Sequence, residues 1–183
     1  MKPLTQNDLL KKIQKDVYVQ NYQPSILIQD VKIIEIKVYS SEDGTFEDLI
    51  RLDEKGFFNY FPKFQLKQIN RSKIIPGAIK AWHLHFNQED IWYVPPEAHM
   101  ILGLWDLREK SKTKDLKMKI VMGNGVSKIV YVPRGVAHGV VNISKKPGEV
   151  IYFVNQIYDK RNPDERRLPW DALGSDFWEI EKG

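Results

Sequence analysis

GAIKAWHLHFNQE (Gly77–Glu89) and PRGVAHGVVN (Pro133–Asn142) together hold three of the four histidines in a chain of 183 residues. His83 and His85 are two apart in a run of strand-forming residues, so both side chains leave one face. Glu89 follows four residues later, where a short turn can return it to that face. Pro133 and Gly135 shape a turn that delivers His138 into another strand. Imidazoles gathered in this way suit either proton transfer near neutral pH or the holding of a divalent metal ion.

Outward from these segments the strand pattern continues. From Ile26 onward, short β-branched and aromatic runs are broken by turn residues: ILIQDVKIIEIKVY, TFEDLIRL, FQLKQI, DIWYV, HMILGLWDL, LKMKIVM, SKIVYV and EVIYFV. Ser41–Gly44 reads as a hairpin turn, and Gly123-Asn124-Gly125, whose residues tolerate positive φ, as a second tight hairpin. No interleaved helix is long enough for a βαβ crossover, which predicts an all-β antiparallel sandwich or barrel over about residues 26–158. Before that core, Leu9, Leu10, Ile13, Val17 and Val19 recur at mostly helical spacings and predict a short N-terminal helix over about 5–19, capped by Thr5 or Asn7. After it, residues 159–183 are polar with two tryptophans and are expected to wrap over the surface of a single domain spanning 1–183.

The absence of cysteine excludes a disulfide framework, a thiolate metal site and a cysteine nucleophile. The 28 basic and 24 acidic residues leave a net charge of +4, and the densest basic run, Arg108–Lys119, is interrupted by Glu109 and Asp115. This is a solvated face rather than a nucleic-acid surface, and the small excess favours a phosphorylated small molecule. No membrane span or signal-peptide core is present, so no membrane partner and a cytoplasmic location are expected.

The two histidine segments resemble the two sequence motifs of the cupin superfamily. Gly77, His83, His85 and Glu89 meet the first, with Pro96 where its last glycine should stand. Pro133, Gly135, His138 and Asn142 meet the second, although Gly125 precedes the proline by two residues too many. The resemblance implies a jelly-roll β-barrel (double-stranded β-helix) with the histidines facing its interior.

Over roughly residues 32–178 the chain more closely resembles the dTDP-4-dehydrorhamnose 3,5-epimerases, through Glu42–Phe46, Gln68–Ser72, Lys80–His83, Asp106–Arg108, Pro133–Gly139 and Tyr152. That resemblance implies a homodimer that epimerises a nucleotide-linked 4-keto-deoxysugar without a cofactor. His83 would remove the proton beside the ketone and Tyr152 would act as acid on the opposite face. Lys80 and Arg71 would contact the phosphates, and Gln68, Asn70 and His138 would line the same pocket.

Four departures from the family stand out. The lysine that stabilises the enolate corresponds to Ile91, and one phosphate-binding arginine corresponds to Asp43. The glutamine two residues after the base is replaced by His85. The C-terminal aspartate that orients the base is expected beyond the end of this chain, with Asp171 and Asp176 the nearest candidates. His85 completes an H-x-H pair, so a second reading is a metal-dependent cupin with Fe, Mn, Ni, Cu or Zn on His83, His85, Glu89 and His138. A third is a nucleotide-sugar binding module that has lost its chemistry. His99 matches neither motif, and Trp82, opposite in alternation to His83, is assigned to packing.

Overall fold

The computed structural model describes residues 2–20 and 26–181; the last two residues of the expected C-terminal wrap lie outside them. The β-branched and aromatic runs form β1 (Lys32–Glu35), β2 (Val38–Ser41), β3 (Gly44–Glu47), β4 (Phe57–Phe58), β5 (Phe61–Gln65), β6 (Gln68–Ile74) and β7 (Ile79–Leu84). The second half of the chain adds β8 (Asp90–Tyr93), β9 (His99–Asp106), β10 (Lys117–Gly123), β11 (Lys128–Val132), β12 (Val136–Asn142), β13 (Gly148–Val154) and β14 (Arg166–Arg167). They assemble into two five-stranded sheets, ordered β1-β11-β8-β13-β6 and β10-β9-β12-β7-β14, plus the small hairpins β2-β3 and β4-β5. From β7 to β13 the chain passes repeatedly between the two large sheets, which is the jelly-roll arrangement.

The apolar runs are nearly unbroken because each sheet is covered on both faces. Between the sheets lie Trp92, Met100, Leu102, Leu104, Val140 and Val150. The outer face of the first sheet packs Ile91, Ile129 and Phe153 under Phe58, Phe61 and Phe64 of the β4-β5 hairpin. The outer face of the second packs Trp82, Ile101 and Val141 under Trp178 of the C-terminal segment. Gly103 is the seat for that tryptophan: a Cβ there would stand 2.7 Å from the Trp178 ring. Every residue of β8 and β12 is buried as a result. Among the described residues no helix is long and apolar enough to cross a membrane.

Two expectations need correction. The N-terminal helix over 5–19 is replaced by two 3-10 turns, Gln6–Asp8 and Gln14–Asp16, the first held by Thr5 N–H and Oγ1–H donating to the Asp8 carboxylate and by Asp8 N–H donating to the Thr5 carbonyl. Leu10, Val17 and Val19 remain exposed, so no tertiary surface stabilises a segment too short to be helical alone. Gly123-Asn124-Gly125 does form a turn with positive φ at all three residues, but it does not close a hairpin. β10 pairs with β9 and β11 with β8 and β1, so the turn carries the chain from one sheet to the other. The Ser41–Gly44 turn does join the paired strands β2 and β3.

Asp106, at the end of β9, is fully buried and gathers the following loop around itself. It accepts hydrogen bonds from Arg108 Nε at 2.8 Å, Ser111 Oγ at 2.6 Å and Thr113 Oγ1 at 2.7 Å. Arg108 also donates to the Gln29 carbonyl at 2.6 Å and to Asp30 at 2.9 Å, which ties the segment before β1 to this corner. Burial by itself would raise the Asp106 pKa, but the bonds from Arg108, Ser111 and Thr113 outweigh it and hold the carboxyl at about 2, against an ordinary 3.8. Its folded-state pKa is therefore depressed, so the stabilisation is present above pH 3.8 and is lost as pH falls through about 2. That shift is worth about 2 kcal/mol. Asp106→Asn is expected to lower unfolding free energy by about that amount at pH 7, with the difference from wild type shrinking in denaturant titrations between pH 4 and 2.

Candidate active site

Whether histidines on neighbouring strands meet depends on register. β12 pairs with β7 so that His138 faces His83 and Val140 faces Lys80, which sets Ala81 and Trp82 as a bulge opposite Gly139. Only glycine fits there, because a Cβ on residue 139 would lie 2.3 Å from the Ala81 Cβ and 2.9 Å from the Lys80 carbonyl oxygen. The bulge changes the parity of β7, so Lys80 joins His83 and His85 along one cleft of about 450 Å³. Trp82 turns the other way, into the aromatic packing expected of it.

From the facing sheet, β6 and β13 contribute by simple alternation. Asn70, Ser72, Tyr152 and Val154 line the cleft. Arg71 points to the opposite face, where it pairs with Glu149; it was expected beside phosphates and stands apart from the cleft. Gln68 lines a contiguous, more polar cleft that shares Asn70, His85, Gln88 and Glu165 with the first. Asp43 lies in the β2-β3 turn, where it accepts a hydrogen bond from Ser41 at 2.5 Å. His99 lines a separate surface groove.

On β8, Asp90 and Trp92 face the cleft while Ile91 is buried in the outer core, so the position matched to the enolate-stabilising lysine points away from the site. Glu89 also misses it. Its backbone and carboxylate are held by Asn155 at 2.8 and 3.2 Å, and it lines a different groove. The carboxylate that reaches His85 and His138 is Asp90, the first residue of the strand.

The residue that orients His83 is Glu165. Its Oε1 lies 3.0 Å from His83 Nδ1 and accepts a hydrogen bond from Arg167 at 3.0 Å. Arg167 itself is fixed by donation to the Ala81 carbonyl at 3.2 Å, and it pairs with His83 across β14 and β7. With Nδ1–H donated to the carboxylate, His83 Nε2 is the ring nitrogen left to take a proton. Burial and the Arg167 charge lower the His83 pKa, with Glu165 opposing them, so the imidazole is neutral at pH 7. The neighbouring Asp164 accepts from the backbone N–H groups of Phe86, Asn87 and Gln88, between 2.7 and 3.2 Å, and so shapes the loop after His85.

His138 is fully buried, its ring stacked on His83 at 5.9 Å between centroids and edge-on to Trp92 at 5.3 Å. Desolvation pushes its pKa down to about 4. Tyr152 packs edge-on to Trp92 at 4.6 Å, and burial raises its pKa while a hydrogen bond with Ser72 opposes that, so the phenol keeps its proton at neutral pH. The site thus holds a neutral imidazole from one sheet and a protonated phenol from the other. The fold is that of the cupins, and this pair of groups is chemically suited to proton transfer.

Comparison with known proteins narrows the class. The family model described as dTDP-4-dehydrorhamnose 3,5-epimerase matches residues 25–179, and the chain belongs to that family. It is 37% identical to the spore coat polysaccharide biosynthesis protein SpsL of Bacillus subtilis over 156 residues, 85% of this chain and 99% of that one. It is 26% identical to the probable low-salt glycan biosynthesis epimerase Agl13 of Haloferax volcanii, over 79% of this chain and 89% of that one. The crystal structure of dTDP-4-dehydrorhamnose 3,5-epimerase from Elizabethkingia anophelis superimposes with a TM-score of 0.67 at 27% identity, covering 87% of this chain and 86% of that one. The chain is accordingly an enzyme of the sugar-nucleotide epimerase class.

Glu165 and Arg167 were not legible as site residues in the sequence; their only signal is the polar stretch Asp164–Arg167 in a segment read as a surface wrap. The hydrogen-bond acceptors fix the tautomers. His85 Nδ1 lies 2.9 Å from the Asp164 carbonyl and His138 Nδ1 3.1 Å from the Val136 carbonyl, and a carbonyl only accepts. Two-bond ¹H–¹⁵N spectra of metal-free protein are expected to show Nδ1–H as the tautomer of the neutral ring for each of the three cleft histidines. Glu165→Ala should change that pattern for His83 and leave His85 and His138 unaltered.

Proposed function

We propose that the chain epimerises a dTDP-linked 4-keto-6-deoxysugar by proton removal beside the ketone and return on the opposite face. The observation that carries this reading is that the oriented base and the acid come from opposite sheets of one cleft. His83 Nε2 takes the proton from the carbon next to the ketone, leaving an enolate. Tyr152 delivers its proton to the other face, and solvent then reprotonates the phenolate and deprotonates the imidazole. These transfers need no organic cofactor, since imidazole and phenol supply both steps.

Glu165 supports the base by holding its tautomer and by stabilising the imidazolium as it forms. Lys80 and Arg167 are the cations of the cleft and are assigned to the diphosphate, with Gln68 and Asn70 contacting the ligand along the contiguous polar cleft. Homodimeric assembly, implied by the family resemblance, and a cytoplasmic location, expected from the sequence, accompany this reading. A binding-only module has no use for a histidine held by a carboxylate opposite a buried phenol, which favours catalysis.

Incubation of the protein in D₂O with dTDP-4-keto-6-deoxyglucose is expected to place deuterium beside the ketone. His83→Asn should reduce this exchange by at least about 100-fold. Unchanged exchange in that variant would overturn the reading. Tyr152→Phe separates the two steps: deuterium should still enter on the side from which the proton left, while epimerised product falls by about 100-fold. Glu165→Gln is expected to lower kcat by about 10-fold or more with KM altered less than about twofold, as for a residue that acts through the base.

A further inference from the structure

We propose that His85, His138 and Asp90 bind one divalent first-row transition ion at the floor of the epimerase cleft. One ligand atom from each lies within 4.8 Å of the others, and all three residues are buried. Both imidazoles commit their Nδ1–H to a backbone carbonyl, Asp164 for His85 and Val136 for His138, which leaves Nε2 as the ligand nitrogen of each, near the same carboxylate. Carbonyl-oriented imidazole is the arrangement in which metal-ligating histidines are held.

The separations fit an ion better than a direct contact. His138 Nε2 is 3.5 Å and His85 Nε2 is 4.0 Å from Asp90 Oδ2, too far for the short bond a shared proton would make. Groups each about 2.1 Å from a common ion stand roughly 3.5 Å apart. Gln88 Nε2 donates to Asp90 Oδ1 at 2.7 Å and approaches His85 Nε2 at 3.3 Å, but among the described residues no donor reaches His138 Nε2. The Trp92 indole N–H, 3.2 Å from Asp90 Oδ2, steadies the carboxylate from the side.

Two neutral imidazoles and one carboxylate form a donor set for Zn²⁺ or Fe²⁺ and a poor one for Mg²⁺ or Ca²⁺. His83 is not part of it, since its Nδ1 is engaged by Glu165 and it lies outside the three-residue cluster. The functional consequence rests on the epimerase reading. A bound ion supplies Lewis-acid polarisation of a ketone oxygen, the stabilisation that Ile91, facing the outer core, does not give.

The test uses the full-length chain purified without a histidine tag, stripped with a chelator and titrated with Zn²⁺ alone, then with Fe²⁺ under anaerobic conditions. Calorimetry and elemental analysis are expected to give about one ion per chain. His85→Gln and Asp90→Asn should each weaken binding at least about 100-fold, with the thermal transition of the metal-free protein confirming that the His85→Gln chain is folded. His83→Asn should retain the ion. Absence of saturable binding, or equal loss in His83→Asn and His85→Gln, overturns the proposal. Deuterium exchange by the wild-type protein is read separately, so the ion site and the epimerase reading can fail independently.

Discussion

The bulge at Ala81 and Trp82 opposite Gly139 determines which side chains reach the cleft. Without it, β7 would alternate strictly, and Lys80 would leave on the face opposite His83. One extra residue on β7 lets cation and base share a face, and the absence of a Cβ at residue 139 lets the bulged backbone approach closely. Trp82, opposite in alternation to His83, faces outward, where its ring packs against Trp178 at 4.7 Å and Phe177 at 5.2 Å. Its indole N–H is buried with no partner among the described residues, a cost of about 1–3 kcal/mol that the surrounding aromatic burial offsets. The C-terminal segment thus clamps the bulge from outside through Trp178 while supplying Glu165 and Arg167 to the inside. Fold and site are coupled through this one irregularity.

The parts of this design that were legible in the sequence are those that depend on local period. Alternation correctly placed His83 with His85 and set Trp82 apart, and the β-branched runs fixed the strands. Short motifs located His138, and family resemblance located Tyr152. What was not legible depends on long-range register. Arg71 was expected with Lys80 at the phosphates from the family resemblance, yet a strand sends Asn70 and Arg71 to opposite faces, and Arg71 meets Glu149 instead. Glu89 and Asp90 are adjacent acids at a strand start, and which of them turns inward follows from where β8 begins pairing, Asp90 opposite Val132 and Val154. Glu165 lies 82 residues from His83 in a polar stretch with no periodicity, and only the β14-β7 pairing brings them together.

The N-terminal turns and the Gly123–Gly125 segment make the same point from the other direction. Their local signals were read correctly as helical spacing and as a positive-φ turn. In the first case no partner surface among the described residues rewards a helix; in the second the flanking strands belong to different sheets. Local propensity sets what a segment can do, and tertiary pairing selects among the options.

The three cleft histidines are chemically alike in sequence and divided by their acceptors in the structure. A carboxylate on Nδ1 stabilises the imidazolium that forms on His83 and so opposes the lowering of its pKa by burial and Arg167. A backbone carbonyl on Nδ1 gives His85 and His138 only a dipole, which fixes orientation without offering charge compensation for protonation. His138 in its desolvated position is accordingly held neutral, unsuited to accepting a proton from substrate and suited to donating a lone pair. Asp90, near both Nε2 atoms, supplies the negative charge that a cation needs and that a proton-transfer residue beside an enolate would not tolerate. An anionic carboxylate at the floor of a cleft that must stabilise a developing oxyanion is repulsive by itself, and a divalent ion between them reverses that sign.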